Sequence, residues 1–261
     1  MPSFTTDDGV EIAYDEVAPG GFTRSVLLVH GFSSNRYEGW RRTGWYSAVE
    51  RRGERCVALD LRGHGESGKP HDPAAYGRAR MAADVADLIE RLDLRGCALF
   101  GYSMGAGVAL QAALNGAPIG DLILGGVGER LIGGGDAEDE ARAAALPSAM
   151  LAADPDSIED PLARSFRYFA DEQGEDLAAL AAVLTKRAPP FAPHDLAALR
   201  APLLVVAGAR DELAGDPEPL ALAAPGGRAV TVPGCDHFSA IPHALTKAAV
   251  FDFLDGMLDL D

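Results

Sequence analysis

The chain has 261 residues, 48% of them hydrophobic, which suits one large α/β domain or such a domain with a modest insertion. Its 23 basic and 39 acidic residues give a formal net charge of −16, which argues against nucleic acid or an anionic membrane as a partner. Three widely spaced cysteines and no apolar run near the ~20 residues of a membrane span predict a cytoplasmic protein without a disulfide framework or paired metal site.

Short apolar runs alternate with helical patterns along the chain. Apolar residues recur at helical spacing over 76–92, a further helix follows Ser103, and a last helix covers about 243–254. The nearly continuous apolar runs are typical of strands that helices cover on both faces. The sequence therefore predicts a doubly wound, mainly parallel sheet. We predict strands at 11–17, 25–29, 55–59, 97–100, 122–126, 203–207 and 229–232.

One stretch interrupts this alternation. Between the predicted strands 122–126 and 203–207 lie about 75 residues with helix-like segments at 138–152, 157–172 and 175–187, far longer than an ordinary connection. We predict a helical cap at 127–199, inserted between two parts of one core at 1–126 and 200–261.

The segment Gly101-Tyr102-Ser103-Met104-Gly105 follows an apolar run and precedes a stretch of small residues. A short buried strand that ends in a sharp turn and leads at once into a helix forces the serine at its apex outward. The flanking glycines suit a strained elbow that has no room for side chains. This pattern predicts Ser103 as a nucleophile at the carboxyl edge of the sheet.

A serine hydroxyl needs a base, and the base needs a carboxylate that holds its tautomer. His237 lies in a loop between the last predicted strand and the last helix, and Asp211 lies just past the strand 203–207. The order Ser103, Asp211, His237 is the order described for a nucleophile elbow of this kind. The alternatives for the acid are Glu129, which follows the preceding strand, and three nearby carboxylates, Glu212, Asp216 and Asp236.

Acyl transfer also requires donors for the developing oxyanion. We predict the backbone N–H groups of Met104 and Phe32, the latter in the loop that follows strand 25–29. His30 precedes that turn, and we interpret it as a structural hydrogen-bonding group rather than a second base.

A glycine-rich segment, 63–69, matches G-x-G-x-x-G and nearly matches a P-loop. A P-loop requires a hydroxyl side chain after its lysine, but Pro70 stands there, and no helical pattern begins at this point. We interpret the segment as a loop shaped by Asp60 and Arg62, which gives no support for nucleotide binding.

These motifs together resemble those of small esterases, lactonases and cofactor-free haloperoxidases of the α/β-hydrolase fold. The matching segments are 30–32, 60–67, 101–105, 208–211 and 234–238, which together span most of the chain outside the cap. The resemblance implies an eight-stranded sheet with a cap after the sixth strand and no cofactor. It also implies Ser103 as nucleophile, His237 as base, Asp211 as acid, and Phe32 and Met104 as oxyanion donors.

We expect a carboxylic ester hydrolase that acts on a small ester or lactone as a monomer or homodimer. Alternatives are C–C bond hydrolysis, thioester cleavage or perhydrolysis on the same residues, or a slow-turnover ligand sensor. No basic cluster adjoins the catalytic loops, so we expect a short to medium, uncharged, apolar substrate. The aromatic residues expected to contact it are Phe32, Tyr102, Phe166, Tyr168, Phe169, Phe191 and Phe238.

Overall fold

The structure, a computed structural model, describes residues 2–134 and 137–258. Residues 135 and 136 of the predicted cap, and the chain ends 1 and 259–261 of the predicted core, lie outside the described residues.

Eight strands form one sheet with the spatial order β1-β2-β4-β3-β5-β6-β7-β8. β2 pairs antiparallel with both β1 and β4, and all remaining neighbours pair parallel. This is the predicted fold class, an eight-stranded, mostly parallel α/β-hydrolase sheet, and it confirms that prediction. The strands are β1 (Ser3–Thr5), β2 (Glu11–Val17), β3 (Ser25–Val29), β4 (Arg55–Leu59), β5 (Cys97–Tyr102), β6 (Ile119–Gly125), β7 (Leu203–Gly208) and β8 (Arg228–Val232).

Neighbouring residues of each central strand point to opposite faces of the sheet, and helices pack against both faces. On β5, Leu99 packs into the core cluster under one layer of helices, and Phe100 packs into the cluster on the other face. The helices are α1 (Trp45–Arg51), α2 (Arg78–Arg91), α3 (Met104–Leu114), α4 (Arg130–Gly133), α5 (Ala137–Met150), α6 (Pro161–Gln173), α7 (Leu177–Thr185), α8 (Pro193–Leu196), α9 (Pro217–Leu222) and α10 (Ala244–Leu254).

The predicted strands and long helices all appear, with shifts of a few residues at their ends. Five of these strands and helices were not predicted: β1, α1, α4, α8 and α9. β1 has three residues, of which only Phe4 is buried, so it carries no recognisable alternation. α1 and α9 have seven and six residues, too few turns for a helical period to stand out.

Helices α4 to α8 all lie between β6 and β7, in the segment 127–199. Among its described residues this segment contains no strand. α5, α6 and α7 pack together around a small apolar cluster that includes Met150, Phe166 and Leu180. The partly buried Phe32 and Leu213 of the sheet loops pack against the same cluster, so these helices lie over the carboxyl edge of the sheet.

Candidate active site

Ser103 stands at the turn between β5 and α3 with φ 55° and ψ −118°, a conformation that L-residues rarely adopt. The close packing of this turn requires the glycines on either side of it. A Cβ atom on Gly101 would lie 2.2 Å from the carbonyl oxygen of Gly105, and one on Gly105 would lie 2.3 Å from that of Val29. Any larger residue at either position would therefore collide with backbone atoms.

Three side chains form one hydrogen-bonded line at the sheet edge. The Oγ atom of Ser103 lies 3.0 Å from Nε2 of His237. Nδ1 of His237 lies 2.8 Å and 3.0 Å from the two carboxylate oxygens of Asp211. Since an ionised carboxylate can only accept, Nδ1 donates to Asp211, and in the neutral ring Nε2 then accepts from the serine hydroxyl.

Backbone contacts fix the positions of Asp211 and His237. Oδ1 of Asp211 accepts from the amides of Leu213 and Ala214, at 3.1 Å and 3.0 Å. The buried hydroxyl of Tyr102 donates to the carbonyl oxygen of His237 at 2.7 Å. Both functional side chains are almost fully buried, with 4% of Asp211 and 7% of His237 exposed. The imidazole is therefore held in one orientation.

The other candidate acids are occupied elsewhere. Asp236 accepts from the amides of Phe238 and Ser239 and so stabilises its own turn. Asp216 caps α9 by accepting from the amide of Glu218. Glu129 lies at the start of α4, and Glu212 is exposed. Among the residues that the structure describes, Asp211 is the carboxylate that hydrogen-bonds to His237.

The loop after β3 passes directly beside Ser103. A Cβ atom on Gly31 would lie 3.2 Å from Cβ of Ser103, so only glycine allows this approach without displacement. Among the hydrogen bonds of residues 2–134 and 137–258, neither the amide of Phe32 nor that of Met104 donates to a protein acceptor. The two N–H groups predicted as oxyanion donors are thus free to bind another group.

The glycine-rich segment 63–69 has the structural role predicted for it. Asp60 accepts from the amides of Arg36 and Glu66, at 2.7 Å and 2.8 Å, and pairs with the side chain of Arg36. Arg62 is fully buried and binds both carboxylate oxygens of Asp84. Gly65 has φ 51°, and a Cβ atom there would lie 2.2 Å from the Asp60 carboxylate.

His30 is fully buried, and both of its ring nitrogens contact backbone atoms. Its Nδ1 lies 2.7 Å from the carbonyl oxygen of Gly31, and its Nε2 accepts from the amide of Leu61 at 2.9 Å. Burial lowers the pKa of His30 to about 4 and that of the neighbouring His64 to about 3. Both rings are therefore neutral near pH 7, and the interpretation of His30 as a hydrogen-bonding group is confirmed.

A cavity of about 800 Å³ opens above Ser103 and His237 and is closed on its far side by the segment 127–199. Much of its wall is apolar, with side chains from the segment 127–199 and from the rest of the chain. The apolar side chains include Val108, Val127, Leu146, Leu162, Phe166 and Leu213.

The seven aromatic residues expected at the substrate are distributed unevenly. Phe166 lines the cavity, and its ring contacts those of Phe32 and Phe238 at 5.7 Å and 6.0 Å between centroids. The Phe238 ring also packs against His237. Tyr102 is buried beneath His237.

Of these seven residues, Phe166 is the one that lines the cavity wall, and the remaining three make no ring contact with Phe166 or His237. Tyr168 is exposed and donates its hydroxyl to Asp156 within the cap. Phe191 is buried under the guanidinium group of Arg78. Phe169 is half-buried and does not line the cavity either.

Sequence reasoning missed the basic side chains of the cavity. Five Arg and Lys side chains line the cavity. They come from the starts of α2 and α4, from α5 and from the two residues that follow α7: Arg78, Arg130, Arg142, Lys186 and Arg187. The premise that no basic cluster adjoins the site holds for the loops themselves but is wrong for the cavity. These residues are up to 109 positions apart in the sequence (78 to 187), so no local pattern could have linked them.

Among the described residues, no group of three or more His, Cys, Asp or Glu side chains could hold a metal ion. Within the same part of the chain, every helix is too short or too polar to cross a membrane.

Comparisons with known proteins agree with this architecture. A model of the alpha/beta hydrolase family matches residues 26–250. The chain is similar to the non-heme chloroperoxidase CPO-A1 of Kitasatospora aureofaciens, with 40% identity over 107 residues, which are 41% of this chain and 36% of that protein. It is also similar to an epoxide hydrolase of Caballeronia sordidicola, with 35% identity over 98 residues, which are 38% of this chain and 29% of that one.

These matches span only about a third of either relative's length. Over nearly the whole chain, the structure resembles a hydrolase from Pseudomonas aeruginosa PA01. The TM-score is 0.73 at 25% identity, and the match covers 97% of each chain.

Proposed function

The chain belongs to the alpha/beta hydrolase family, and from that premise we propose that it is a serine hydrolase of small carboxylic esters or lactones. The observation that carries the proposal is the hydrogen-bonded line Ser103–His237–Asp211 beside two unbonded amides. A hydroxyl 3.0 Å from an imidazole nitrogen, on a ring that a buried carboxylate orients, is the arrangement that nucleophilic catalysis by serine requires.

The first half of the proposed reaction forms an acyl-enzyme. Oγ of Ser103 attacks the substrate carbonyl carbon while its proton passes to Nε2 of His237. The resulting oxyanion accepts from the amides of Phe32 and Met104. When the tetrahedral intermediate collapses, the bond to the alcohol oxygen breaks and Nε2 donates its proton to that oxygen.

The second half repeats these steps with water. Nε2 of His237 takes a proton from a water molecule, whose oxygen attacks the acyl carbon. The bond to Oγ then breaks, Ser103 regains its proton, and the carboxylic acid leaves. Asp211 remains ionised throughout and stabilises the imidazolium that forms twice per cycle.

The serine nucleophile separates this proposal from the activity named for one relative. A serine oxygen that opens an epoxide ring would form an ether, which lacks the carbonyl that water attacks in the second half. An ester or a lactone instead gives an acyl-enzyme that the same groups can hydrolyse. We therefore do not extend the epoxide hydrolase activity of that relative to this chain.

Perhydrolysis is the second candidate, and the similarity to a chloroperoxidase favours it. If hydrogen peroxide replaces water in the second half, the acyl-enzyme yields a peroxycarboxylic acid by the same proton transfers. Measuring peracid formed from acetate or butyrate with peroxide compares the two activities directly.

We also propose that 127–199 acts as a cap on a core formed by 1–126 and 200–261. The support is that α4 to α8 lie between β6 and β7, and that residues of α4 to α7 line the cavity that contains Ser103. We expect the uncharged, apolar part of the substrate to lie against Phe166 and its neighbouring leucines.

Trapping of the acyl-enzyme tests the proposed function. Mixing the protein with excess p-nitrophenyl butyrate and quenching with acid should give a mass increase of one butyryl group on the peptide containing Ser103. Steady turnover after the first equivalent of p-nitrophenol is expected of an enzyme. One fast equivalent followed by near-arrest would instead favour a ligand sensor, and no acylation of Ser103 would overturn the proposal.

A further inference from the structure

The strongest unexplained feature of the molecule is the charge of its cavity wall. The chain has a formal net charge of −16, yet among the described side chains the cavity is lined by five basic residues and by one acidic residue, Glu140. Such an arrangement in a partly enclosed cleft concentrates anions. The acyl-transfer steps proposed above do not use any of these cations.

Two contacts with the protein hold the Arg78 side chain. Its guanidinium group stacks on the ring of Phe191, 3.6 Å from the ring centroid, and its Nε donates to the side-chain oxygen of Gln111 at 3.3 Å. Among the described residues, its two Nη nitrogens donate to no protein acceptor and no carboxylate lies within ion-pair distance. One face of the guanidinium group lies on Phe191, and its Nε edge is bound by Gln111. The edge that carries the two Nη nitrogens is therefore presented to the cavity.

The environment of Arg78 also favours an anionic partner. Burial lowers the pKa of this guanidinium group, and the carboxylate of Asp195 opposes that shift only in part. A partly desolvated arginine gains most from a carboxylate or phosphate that its planar fork can bind through two hydrogen bonds.

Three of the other cations add to the same field. Lys186 and Arg187 are exposed at the end of α7 and have no ion-pair partner among the described residues. Arg142 is paired with Asp160 at 2.8 Å and adds less. Exposed cations contribute weakly one by one and mainly steer a charged ligand into the cleft.

The sheet order indicates which part of the substrate meets Arg78. α2 leads from β4 into β5, and His237 follows β8. In the sheet, β4 and β8 lie on opposite sides of β5. The leaving alcohol must lie on the side of His237, which protonates it. The acyl chain therefore points toward α2 and Arg78.

We propose that the substrate is an ester or lactone whose acyl chain ends in an anionic oxygen group, bound by Arg78 with Lys186 and Arg187 at the mouth of the cavity. This inference rests on the proposed function and specifies its substrate class. It replaces the expectation of a fully uncharged substrate: the middle of the acyl chain is apolar and its far end is charged. Carboxylate and phosphate share the required chemistry.

Three chain-matched p-nitrophenyl esters test the proposal: the neutral hexanoate, the monoester of adipate, and the ester of 5-phosphonopentanoate. We expect kcat/KM to be about tenfold higher for at least one charged ester than for hexanoate. A preference for adipate identifies a carboxylate, and a preference for the phosphonate identifies a phosphate-like group. Faster hydrolysis of hexanoate than of both charged esters would overturn the proposal.

The variants assign the preference to specific residues. Arg78→Met should reduce the charged-to-neutral ratio about tenfold, mainly through KM, because a remote binding contact is lost equally from ground and transition states. The double change Lys186→Gln and Arg187→Gln, at exposed positions that do not threaten folding, should reduce the ratio about threefold. Arg95→Gln, an exposed arginine before β5 at the opposite sheet edge, is the matched control and should leave it unchanged. A ratio that falls equally in the control and in both cavity variants would also overturn the proposal.

Binding separates this proposal from the proposed function. If none of the esters is hydrolysed, the hydrolase assignment fails, but adipate should still bind to Ser103→Ala in calorimetry. Its affinity should fall about tenfold in the variant that also carries Arg78→Met, and fall as NaCl rises from 0.05 M to 0.5 M. Adipate binding that is absent, or that is insensitive to Arg78, would refute the anion site alone.

Discussion

The two walls of the cavity are built in different ways. The core wall, formed by the strand ends around Ser103, Asp211 and His237, is positioned by backbone contacts. Glycines at 101 and 105 allow backbone segments to touch, and two backbone amides donate to Asp211. The segment 127–199 meets the core through apolar packing, which includes Val183 and Phe191, and through side-chain hydrogen bonds. Glu175 accepts from the amide of Gly65 at 2.9 Å, and Asp176 lies 2.9 Å from Nε2 of His71.

This difference separates chemistry from selectivity. Reacting groups need positions fixed to a fraction of an ångström, which strand ends joined by backbone contacts provide. Side-chain contacts between helices tolerate substitution more readily, so the cap wall can change its size and charge without disturbing the nucleophile. Changes to the strand-end groups around Ser103 should therefore affect kcat, whereas changes to the cap wall, and to Arg78 on α2, should affect KM and substrate choice.

The largest expected effect comes from the nucleophile. Ser103→Ala should reduce kcat for p-nitrophenyl butyrate by about 10⁴ or more, because the remaining groups can only stabilise a slow attack by water. The melting temperature should stay near that of the parent protein, since the hydroxyl faces a cleft. Ser165→Ala, on the exposed surface of α6, is the matched control. A Ser103→Ala variant with half the parent rate would remove the basis for the comparison of the two walls.

The second effect concerns the acid of the core wall. Asp211→Asn should reduce kcat by roughly 10² to 10⁴, because the amide can donate to Nδ1 and so favours the wrong tautomer of His237. Glu129→Gln makes the same chemical change at the start of α4 and should alter kcat less than about twofold. The opposite ranking in steady-state kinetics would mean that the acid comes from the end of β6.

The third effect is the pH dependence of stability that two buried histidines of the core should cause. The folded-state pKa values of His30 and His64 lie at about 4 and about 3, below the usual 6.5, so the unfolded chain binds more protons between these values. The stability that these neutral rings contribute is complete above pH 6.5 and is lost as the pH falls toward 4. At pH 4.5 the loss in the free energy of unfolding should be on the order of 2 kcal/mol for each ring.

Urea unfolding at pH 7 and pH 4.5 measures this loss. His64→Leu removes one of the two titrating rings, so the variant should lose about half as much stability on acidification as the parent. His194→Gln, at an exposed position outside the core wall, should behave as the parent does. An undiminished acid effect in His64→Leu would place the sensitive group elsewhere.

The smallest effect compares two aromatic residues of one cap helix. Phe166→Leu should raise KM for p-nitrophenyl butyrate about three- to tenfold, because it shortens an apolar side chain that lines the cavity. Tyr168→Phe removes only the hydroxyl that contacts Asp156 on the outer side of α6, and its KM should change less than about twofold. Equal effects would mean that the cap acts through its packing and not through its inner face.

Much of the core wall was predictable because its determinants are local. The elbow 101–105 contains its own strand end, turn and helix start, and the glycines there are required by contacts of about 2 Å that no side chain could fit. The strands were recognisable because helices cover both of their faces, which leaves nearly continuous apolar runs. β1, α1, α4, α8 and α9 escaped detection because such short elements span at most about two periods, too few for a pattern to stand out.

The sequence by itself determined most strands of the sheet, the sharp turn at Ser103 and the order in which Ser103, Asp211 and His237 follow their strands. The tertiary structure decided which of several carboxylates contacts His237, because Asp236 and Asp216 are used by their own turns. It also decided the charge of the cavity, since Arg78 and Lys186 belong to helices far apart in the chain. Motifs encode contacts between neighbours in sequence, whereas a cavity is a property of surfaces that meet only after the chain has folded.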